Sequence, residues 1–404
     1  MERCREDARR QRRPYRDRAH ARAHHRHGIA LNVYLVTLTS VLISGCYTGS
    51  RLIASLFALE LGANPFQVGV LAGLYAALSL MLAIQAGKWS DRLGPVRPML
   101  LGSVLSCAGL IIAWAFPSIQ ALYVSAAVMG AGFIFFNVAV QSLVALMSRP
   151  HDRARDFSIL SQGYSVSALI APLSAGFAVQ FLGTAGSFLS FAVAAIVPAL
   201  ILVGMRNLHS LKPESAGTQR SSVFELLRDR PLRSSFVTSG LVVTGWDLYT
   251  FYLPVYAHGI GLDAAVIGAI LAVFGAAAFT VRWFMPPLVR RWGEAGLLAR
   301  AMLVAALFYL AFPFAESAYV LGALSIALGL TLGLGQPLSM MITYARAPAA
   351  RAGEANGLRL MVNHCTHFVV PILSGALGTA FGVAPVFWMN SACLALAARV
   401  LKRY

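Results

Sequence analysis

The stretch Gly87-Lys-Trp-Ser-Asp91-Arg92-Leu-Gly94-Pro-Val-Arg97 lies between two long apolar runs. It holds three cations and one carboxylate in a chain that is 58% hydrophobic and only 12% charged. A soluble protein usually contains about 25% charged residues. The stretch therefore indicates a polar connection between segments that lie in an apolar environment.

Apolar runs long enough to cross a hydrocarbon core of about 30 Å recur along the whole chain. They predict an all-α membrane protein with twelve transmembrane helices, which we number as spans 1 to 12. The predicted spans are 31–61, 66–86, 98–116, 119–147, 157–181, 187–205, 236–257, 265–285, 297–314, 318–344, 356–380 and 384–400.

The basic residues are distributed unevenly between the two sides of this arrangement. The connections after the odd-numbered spans (62–65, 117–118, 182–186, 258–264, 315–317 and 381–383) contain no Lys or Arg, whereas each of the others contains at least two arginines. The positive-inside rule then predicts that both termini are cytoplasmic, in a bacterial inner membrane. Because topology explains the net charge of +17, we do not expect a nucleic-acid partner.

Several function classes have no support in the sequence. Residues 1–30 are a basic segment without a signal-peptide core, and we expect a disordered cytoplasmic tail. The five cysteines show no paired ligand spacing, so no metal and no cofactor are expected. No HExxH, GxSxG or nucleotide-binding motif is present, which argues against an enzyme and against a self-powered pump.

The chain contains an internal repeat with an offset of 199 residues. The identities at this offset are Gly62 and Gly261, Gly69 and Gly268, Arg92 and Arg291, Gly94 and Gly293, Pro172 and Pro371, and Gly176 and Gly375. The repeat predicts an N-terminal six-helix bundle (31–206) and a C-terminal six-helix bundle (236–404), which is typical of transporters. Between them, residues 207–235 form a cytoplasmic linker. There Ser222 and Glu225 form a capping-box pattern for a short amphipathic helix that Pro231 is expected to end.

The opening stretch resembles the signature loop of the major facilitator superfamily, with Gly87, Asp91, Arg92 and Gly94 in place and Arg97 one position later than usual. The resemblance implies two six-helix bundles in parallel pseudo-repeat that transport by alternating access. It also implies that Asp91 contacts the N-terminus of span 11 in the outward-open state, as a conformational latch.

The second copy of the signature departs from the family pattern. Pro286 replaces the first glycine, and Arg290 replaces the acid, next to Arg291. An arginine is unfavourable at a helix N-terminus, so the second latch is expected to be an ion pair of Arg290 with Asp152 or Asp156.

Small residues follow a regular spacing in span 5, at Ser158, Ser167, Ala171, Pro172, Ala175 and Gly176. The spacing resembles the span 5 motif of drug–proton antiporters of the superfamily, although only Pro172 and Gly176 match it literally. This favours efflux; the alternative is helix packing of a general kind. Ala126 stands where those antiporters have an arginine in span 4, so their coupling mechanism does not transfer directly.

Two ionisable residues are predicted near the middle of spans: Arg51 in span 1 and Asp247 in span 7. The repeat places them about one helical turn apart in depth, facing each other across a central cavity. Since a charge at mid-membrane costs about 2.5–3.5 kcal/mol, we expect a substrate or proton role, with a static structural pair as the alternative.

Further cavity candidates are polar or aromatic residues inside spans, for each of which an ordinary helix–helix hydrogen bond is the alternative. They are Asn137 and Gln141 in span 4, Trp246 and Tyr249 in span 7, Gln336 in span 10, and Asn363, His364 and His367 in span 11. Aromatic groups with few polar ones are typical of a site for an amphiphilic organic molecule.

The sequence therefore predicts a monomeric carrier of a small organic solute in the lipid bilayer, with proton-coupled efflux as its activity. One alternative is an importer, a symporter of an anionic metabolite bound by Arg51. A remote alternative is a non-transporting membrane sensor.

Overall fold

The computed structural model describes residues 32–148, 152–205, 208, 226–347 and 352–402. The regular elements of these ranges are helices. In chain order they are Asn32–Glu60, Pro65–Leu93, Val96–Ala115, Ile119–Met147, Arg153–Gly204, Arg230–Gly259, Ala264–Trp292, Glu294–Ala311, Ala318–Leu332, Gly335–Arg346, Ala352–Phe381 and Ala384–Lys402. The basic tail and the capping box at Ser222 lie outside the described residues.

These helices cover all twelve predicted spans and confirm the all-α fold. Within the described residues, 10 helices are long and apolar enough to cross a membrane. One of them, Arg153–Gly204, contains both span 5 and span 6, joined at Gly183. Span 7 is the helix Arg230–Gly259, whose polar residues keep it outside that set. Span 10 consists of two helices, Ala318–Leu332 and Gly335–Arg346.

The internal repeat is visible in the backbone at the turns between spans. All positive-φ residues of the described chain are glycines, and they form three pairs at the 199-residue offset: Gly62 and Gly261, Gly94 and Gly293, and Gly183 and Gly382. A side chain would be strained in this conformation, so each pair fixes the same turn in both halves. The sequence identified the first two pairs but missed the third.

The signature stretch differs from the expected loop. The helix of span 2 continues through Gly87 and Asp91 to Leu93, and Gly94, with φ 80°, makes the turn before the next helix begins at Val96. No proline interrupts the helix before Gly94, so its hydrogen bonds continue to that point. Asp91 therefore lies in the last helical turn of span 2.

Pro231 also has a different role from the expected one. It stands in the first turn of the helix of span 7, where the missing backbone N–H has no helical acceptor to lose. The Asp229 side chain caps this helix by accepting a hydrogen bond from the backbone N–H of Leu232 at 3.3 Å. The helix therefore begins within the predicted linker, at Arg230.

The two bundles contact each other through the repeated glycines. A Cβ added at Gly69 of span 2 would lie 3.0 Å from the Cα of Gly375 in span 11, and one at Gly268 of span 8 would lie 2.9 Å from the Cα of Gly176 in span 5. Each added Cβ would also meet a proline carbonyl, of Pro371 or Pro172 respectively. The two interfaces are thus related by the repeat and allow backbone-to-backbone packing.

These contacts lie towards the side predicted to be extracellular. Spans 2 and 11 run antiparallel, with Phe66 beside Thr379 and Gly73 beside Phe368. At the other end, a Cβ added at Gly87 would meet no atom within 4 Å. Asp91 is exposed and has no hydrogen bond or ion pair in the described ranges. The described contacts between spans 2 and 11 therefore lie on the side distant from the signature stretch, whereas spans 5 and 8 also meet further along, where Arg282 donates to Ser165 at 3.0 Å.

The glycine interface gives a direct stability prediction. Gly69→Leu should lower the free energy of unfolding by about 1–3 kcal/mol, because the added side chain has no space against the backbone of span 11. Gly322→Leu is the matched control, since a Cβ at Gly322 meets nothing within 4 Å. Thermal unfolding of the purified variants measures both; equal melting temperatures would contradict the close contact.

Candidate functional site

An ion pair between the two bundles forms the centre of the site. Arg51 of span 1 donates from Nη2 to Oδ1 of Asp247 in span 7 at 3.0 Å. The Asp247 side chain is only 1% exposed, and that of Arg51 is 16% exposed. Burial in a low dielectric strengthens the attraction between the charges, but it also makes each charge costly without the other. The expected proximity of the two residues is thus present in the structure.

The second oxygen of the carboxylate is also engaged. Nδ1 of His367 in span 11 contacts Oδ2 of Asp247, and the His367 side chain is 29% exposed. His364, one turn earlier, lies with its ring centroid 6.1 Å from that of His367. Of the two histidines that the sequence proposed, the structure places His367 on the carboxylate, and this histidine links the buried acid to a more accessible position.

Aromatic rings surround the guanidinium of Arg51. Its Cζ lies 4.1 Å from the ring centroid of Phe251 and 5.8 Å from that of Tyr47. Tyr47 in turn stacks on Phe133 at 4.1 Å. Cation–π attraction supports the charge where hydrogen bonds are scarce. Nε of Arg51 is buried and has no hydrogen-bond partner, so this cation is only partly satisfied by the protein.

A small cavity of about 80 Å³ adjoins the ion pair. It lies between spans 1, 5, 7 and 8, and its lining residues are Thr48, Arg51, Leu52, Ala168, Pro172, Trp246, Thr250, Leu271 and Phe274. Ligand pockets for drug-sized molecules are about 300–1,000 Å³. This cavity is therefore large enough for a few water molecules only.

Most of the other cavity candidates contact neighbouring helices. Asn137 accepts from the hydroxyl of Tyr164 at 2.7 Å and from Gln141 at 3.4 Å. Tyr249 is fully buried and donates to Ser325 at 2.6 Å. Trp246 packs against Phe274 in the lining of the small cavity. These contacts join Trp246 to the ion-pair region and attach Asn137 and Tyr249 to neighbouring helices, whereas Gln141 is exposed and bonds to Asn137 of its own helix.

The span 5 motif has two different environments. Pro172 and Gly176 contact span 8, as described above. Ser167 and Ala171 instead line a second cavity, of about 290 Å³, between spans 1, 5 and 6. Oγ of Ser167 is buried there without a partner. Packing against span 8 therefore explains Pro172 and Gly176, but not Ser167 and Ala171.

The second latch is not formed in this conformation. Asp156 accepts from the hydroxyl of Ser148 at 2.7 Å, and its Oδ1 lies 3.7 Å from Nε of Arg155, so its partners come from its own bundle. Arg290 has no ion pair in the part of the chain that the structure describes. The expected pair of Arg290 with Asp156 is therefore absent here.

One buried charge escaped the sequence analysis. Arg359 of span 11 is 3% exposed and donates to Gln336, one of the proposed cavity residues, at 3.1 Å. It also donates to Ser239 at 3.4 Å, which in turn donates to Asn363 at 2.8 Å. Arg359 is the fourth residue of the predicted span 356–380, and this position was the available signal for a buried charge. The same position is also typical of a cation near the membrane surface, so the sequence analysis passed over it. Within the described residues, no cluster of His, Cys, Asp and Glu could hold a metal ion.

A protein-family model and several known proteins match the chain. Residues 36–365 match the family model described as Major Facilitator Superfamily. The chain is 26% identical over 287 residues to the multidrug resistance protein MdtH of Sodalis glossinidius (strain morsitans), covering 69% of this chain and 67% of the relative. It is 28% identical over 295 residues to MdtH of Cronobacter sakazakii, covering 70% and 69% respectively.

Solved structures share the fold at low sequence identity. The nucleoside transporter NupG aligns with a TM-score of 0.78 at 13% identity, over 92% of this chain and 99% of that chain. A bacterial homologue of the human lysosomal transporter Spinster, in an inward-facing and unoccupied conformation, aligns with a TM-score of 0.74 at 15% identity, over 92% and 96%. At these identities the likeness establishes the fold alone.

The ion pair gives a prediction about energetic coupling. Arg51→Gln should lower the free energy of unfolding by about 3–5 kcal/mol, because it leaves Asp247 charged and buried without its cation. The double replacement Arg51→Gln with Asp247→Asn should recover most of that loss. Thermal unfolding measures both, with Arg300→Gln as a control at an exposed arginine. A double variant as unstable as the single one would contradict the coupling.

Proposed function

Because the chain belongs to the Major Facilitator Superfamily, we propose that it exports a small, partly apolar organic solute in exchange for protons, with Asp247 as the proton-binding carboxylate. The observation that carries the proposal is that a buried acid is held by Arg51 from the opposite bundle and by His367 from the accessible side. The family is one of transporters, so the remote alternative of a non-transporting sensor is set aside.

The contacts of Asp247 suggest how proton binding and conformation are coupled. While the carboxylate is charged, its attraction to Arg51 holds spans 1 and 7 together. Protonation removes that charge, so the attraction between the bundles is lost and Arg51 is free to move. A proton and a solute that separates the pair therefore act on the same contact, and alternating access follows from their competition.

The direction of transport is inferred from relatives and from the site. The MdtH proteins that the chain resembles are described as multidrug resistance proteins. The aromatic side chains Tyr47, Phe133, Trp246 and Phe251 around the pair favour a partly apolar solute. The alternative, an importer that binds an anion at Arg51, is less well supported because Asp247 already compensates that cation.

The latch is a further part of the proposal. The antiparallel register of spans 2 and 11, with Gly69 beside Gly375, places Asp91 opposite the start of the helix Ala352–Phe381 if the helices close along their length. A carboxylate is stabilised at a helix N-terminus. The corresponding register of spans 5 and 8, with Gly268 beside Gly176, would bring Arg290 near Asp152 on the same condition. Both contacts would form only when the bundles close on the signature side, which we propose is cytoplasmic.

Transport by Asp247→Asn in proteoliposomes tests the coupling. A panel of neutral, anionic and cationic aromatic compounds is screened for dissipation of an imposed pH gradient by the wild type. Each active compound is then tested for counterflow. The variant should lose gradient-driven movement by at least tenfold, because it cannot exchange a proton, while counterflow of the same compound remains.

Two results of the same screen would contradict the proposal. If Asp247→Asn retains gradient-driven transport, the acid is structural and proton coupling through it is wrong. If the wild type moves none of the compounds against a gradient, proton-coupled efflux of this class of solute is wrong. Arg300→Gln is the control for nonspecific loss of transport.

Asp91→Asn should reduce transport several-fold with little change in thermal stability, since the residue is exposed and unpaired in the conformation described here. Asp91→Glu should restore part of the rate, because the charge returns. Crosslinking between cysteines placed at positions 87 and 356 should be weaker in Asp91→Asn than in the wild-type background. Unchanged transport together with unchanged crosslinking would contradict the latch.

A further inference from the structure

Arg359 is a buried cation whose described partners are all neutral. Nε donates to Asn356 at 3.1 Å, and Nη1 donates to Gln336 at 3.1 Å and to Ser239 at 3.4 Å. No carboxylate lies within ion-pair distance of Arg359 in the ranges that the structure describes. Arg51, by comparison, is compensated by Asp247. Arg359 is therefore the more deeply buried of the two arginines and the one without a counter-charge.

The guanidinium also has unused hydrogen-bonding capacity. An arginine has five N–H donors in a planar fork. The three bonds above use Nε and Nη1, and Nη2 has no partner among the described residues. Nη2 is not one of the sealed polar atoms that lack a partner, so it retains access to the surface. Gln336, which holds Nη1, is itself exposed.

The surroundings of Arg359 favour negative charge. Gln336 stands in the first turn of the helix Gly335–Arg346, just after the break in span 10. No side chain caps this helix, whose N-terminus has a partial positive charge. From the other side Arg282 of span 8 donates to the carbonyl of Gly333, at the break, at 3.5 Å. Two cations thus contact residues on either side of the break in span 10, beside a helix N-terminus, and discontinuous spans are used for anionic groups in transporters.

We propose that Arg359 is the binding position for an oxyanion of the transported solute, such as a carboxylate. The proposal rests on the proposed transport function and adds the chemical class of its solute. The oxyanion replaces the neutral amide oxygen of Gln336 on Nη1 and also occupies Nη2, which gives the two parallel bonds that a guanidinium forms with a carboxylate. The exchange needs only a side-chain movement of Gln336.

The distance to the ion pair defines the shape of that solute. Arg359 and His367 are eight residues apart on one helix, which corresponds to about 12 Å at 1.5 Å per residue. An elongated solute can therefore place its anionic end at Arg359 and its apolar part towards the aromatic rings beside Arg51. The expected solute is an amphiphilic anion with an aromatic or aliphatic body about 10 Å long.

Binding of three matched probes to the purified full-length protein tests the proposal. Phenylbutyrate, phenylbutyramide and phenylbutylamine have the same body and differ in charge at one end. Calorimetric titration of the wild type should show the carboxylate binding at least about tenfold more tightly than the amide, with the amine weakest. Arg359→Gln should abolish this preference, and Arg359→Lys should keep part of it because the charge remains without the fork. Arg300→Gln removes an exposed arginine and should leave the preference intact.

Three results would overturn the proposal. The first is that the wild type binds the carboxylate and the amide equally, or does not bind the carboxylate. The second is a preference for the amine. The third is an unchanged preference for the carboxylate in Arg359→Gln. If Arg359 only joins spans 7, 10 and 11, Arg359→Gln should lower the melting temperature without changing the affinity ratio. Should that variant not fold, the wild-type ratio and Arg359→Lys decide. The proton-coupling proposal is tested separately. Asp247-dependent transport of neutral or cationic compounds is compatible with each of these binding results.

Discussion

A buried carboxylate that cannot remain charged alone is the constraint around which the two halves of the molecule are arranged. Asp247 is 1% exposed, and one of its oxygens is bound by Arg51 from the other bundle. In an apolar environment, the desolvation of each charge is offset only while the other stays close. Any change that neutralises or displaces one partner therefore alters the contact between the bundles, and this links a local chemical event to a global rearrangement.

The glycine interfaces make such a rearrangement possible without unfolding. Spans 2 and 11, and spans 5 and 8, meet backbone to backbone at Gly69 and Gly375 and at Gly268 and Gly176. Surfaces without long side chains have little to interdigitate, and the proposed alternating access would use these points as pivots. The outer contacts are closed in the structure while Gly87 and Asp91 are free of the opposite bundle. In the proposed latch, the same register extended to the other end would bring Asp91 to the start of span 11.

The charges inside the membrane divide into two groups with different roles. Arg51, Asp247 and His367 form a compensated set at the bundle interface, which suits proton exchange because its members can satisfy one another. Arg359 and Arg282 lie at the break in span 10 with neutral partners. An uncompensated cation in a span is costly, and a solute that supplies the counter-charge would lower that cost. The proposals above assign proton exchange to the first group and the binding of an anionic amphiphile to the second.

The sequence by itself determined the twelve spans, the two-bundle repeat and the opposition of Arg51 and Asp247, because hydropathy and the 199-residue offset are properties of the linear chain. It placed Gly94 correctly at a turn, but it ended span 2 too early, at Gly87, and it overlooked Arg359. Only the tertiary structure decided that His367 rather than His364 contacts the acid, and that the buried Ser167 lines a cavity between spans 1, 5 and 6. Those outcomes depend on the rotation of each helix about its axis and on the shape of its neighbours, and both are set by packing between segments distant in sequence.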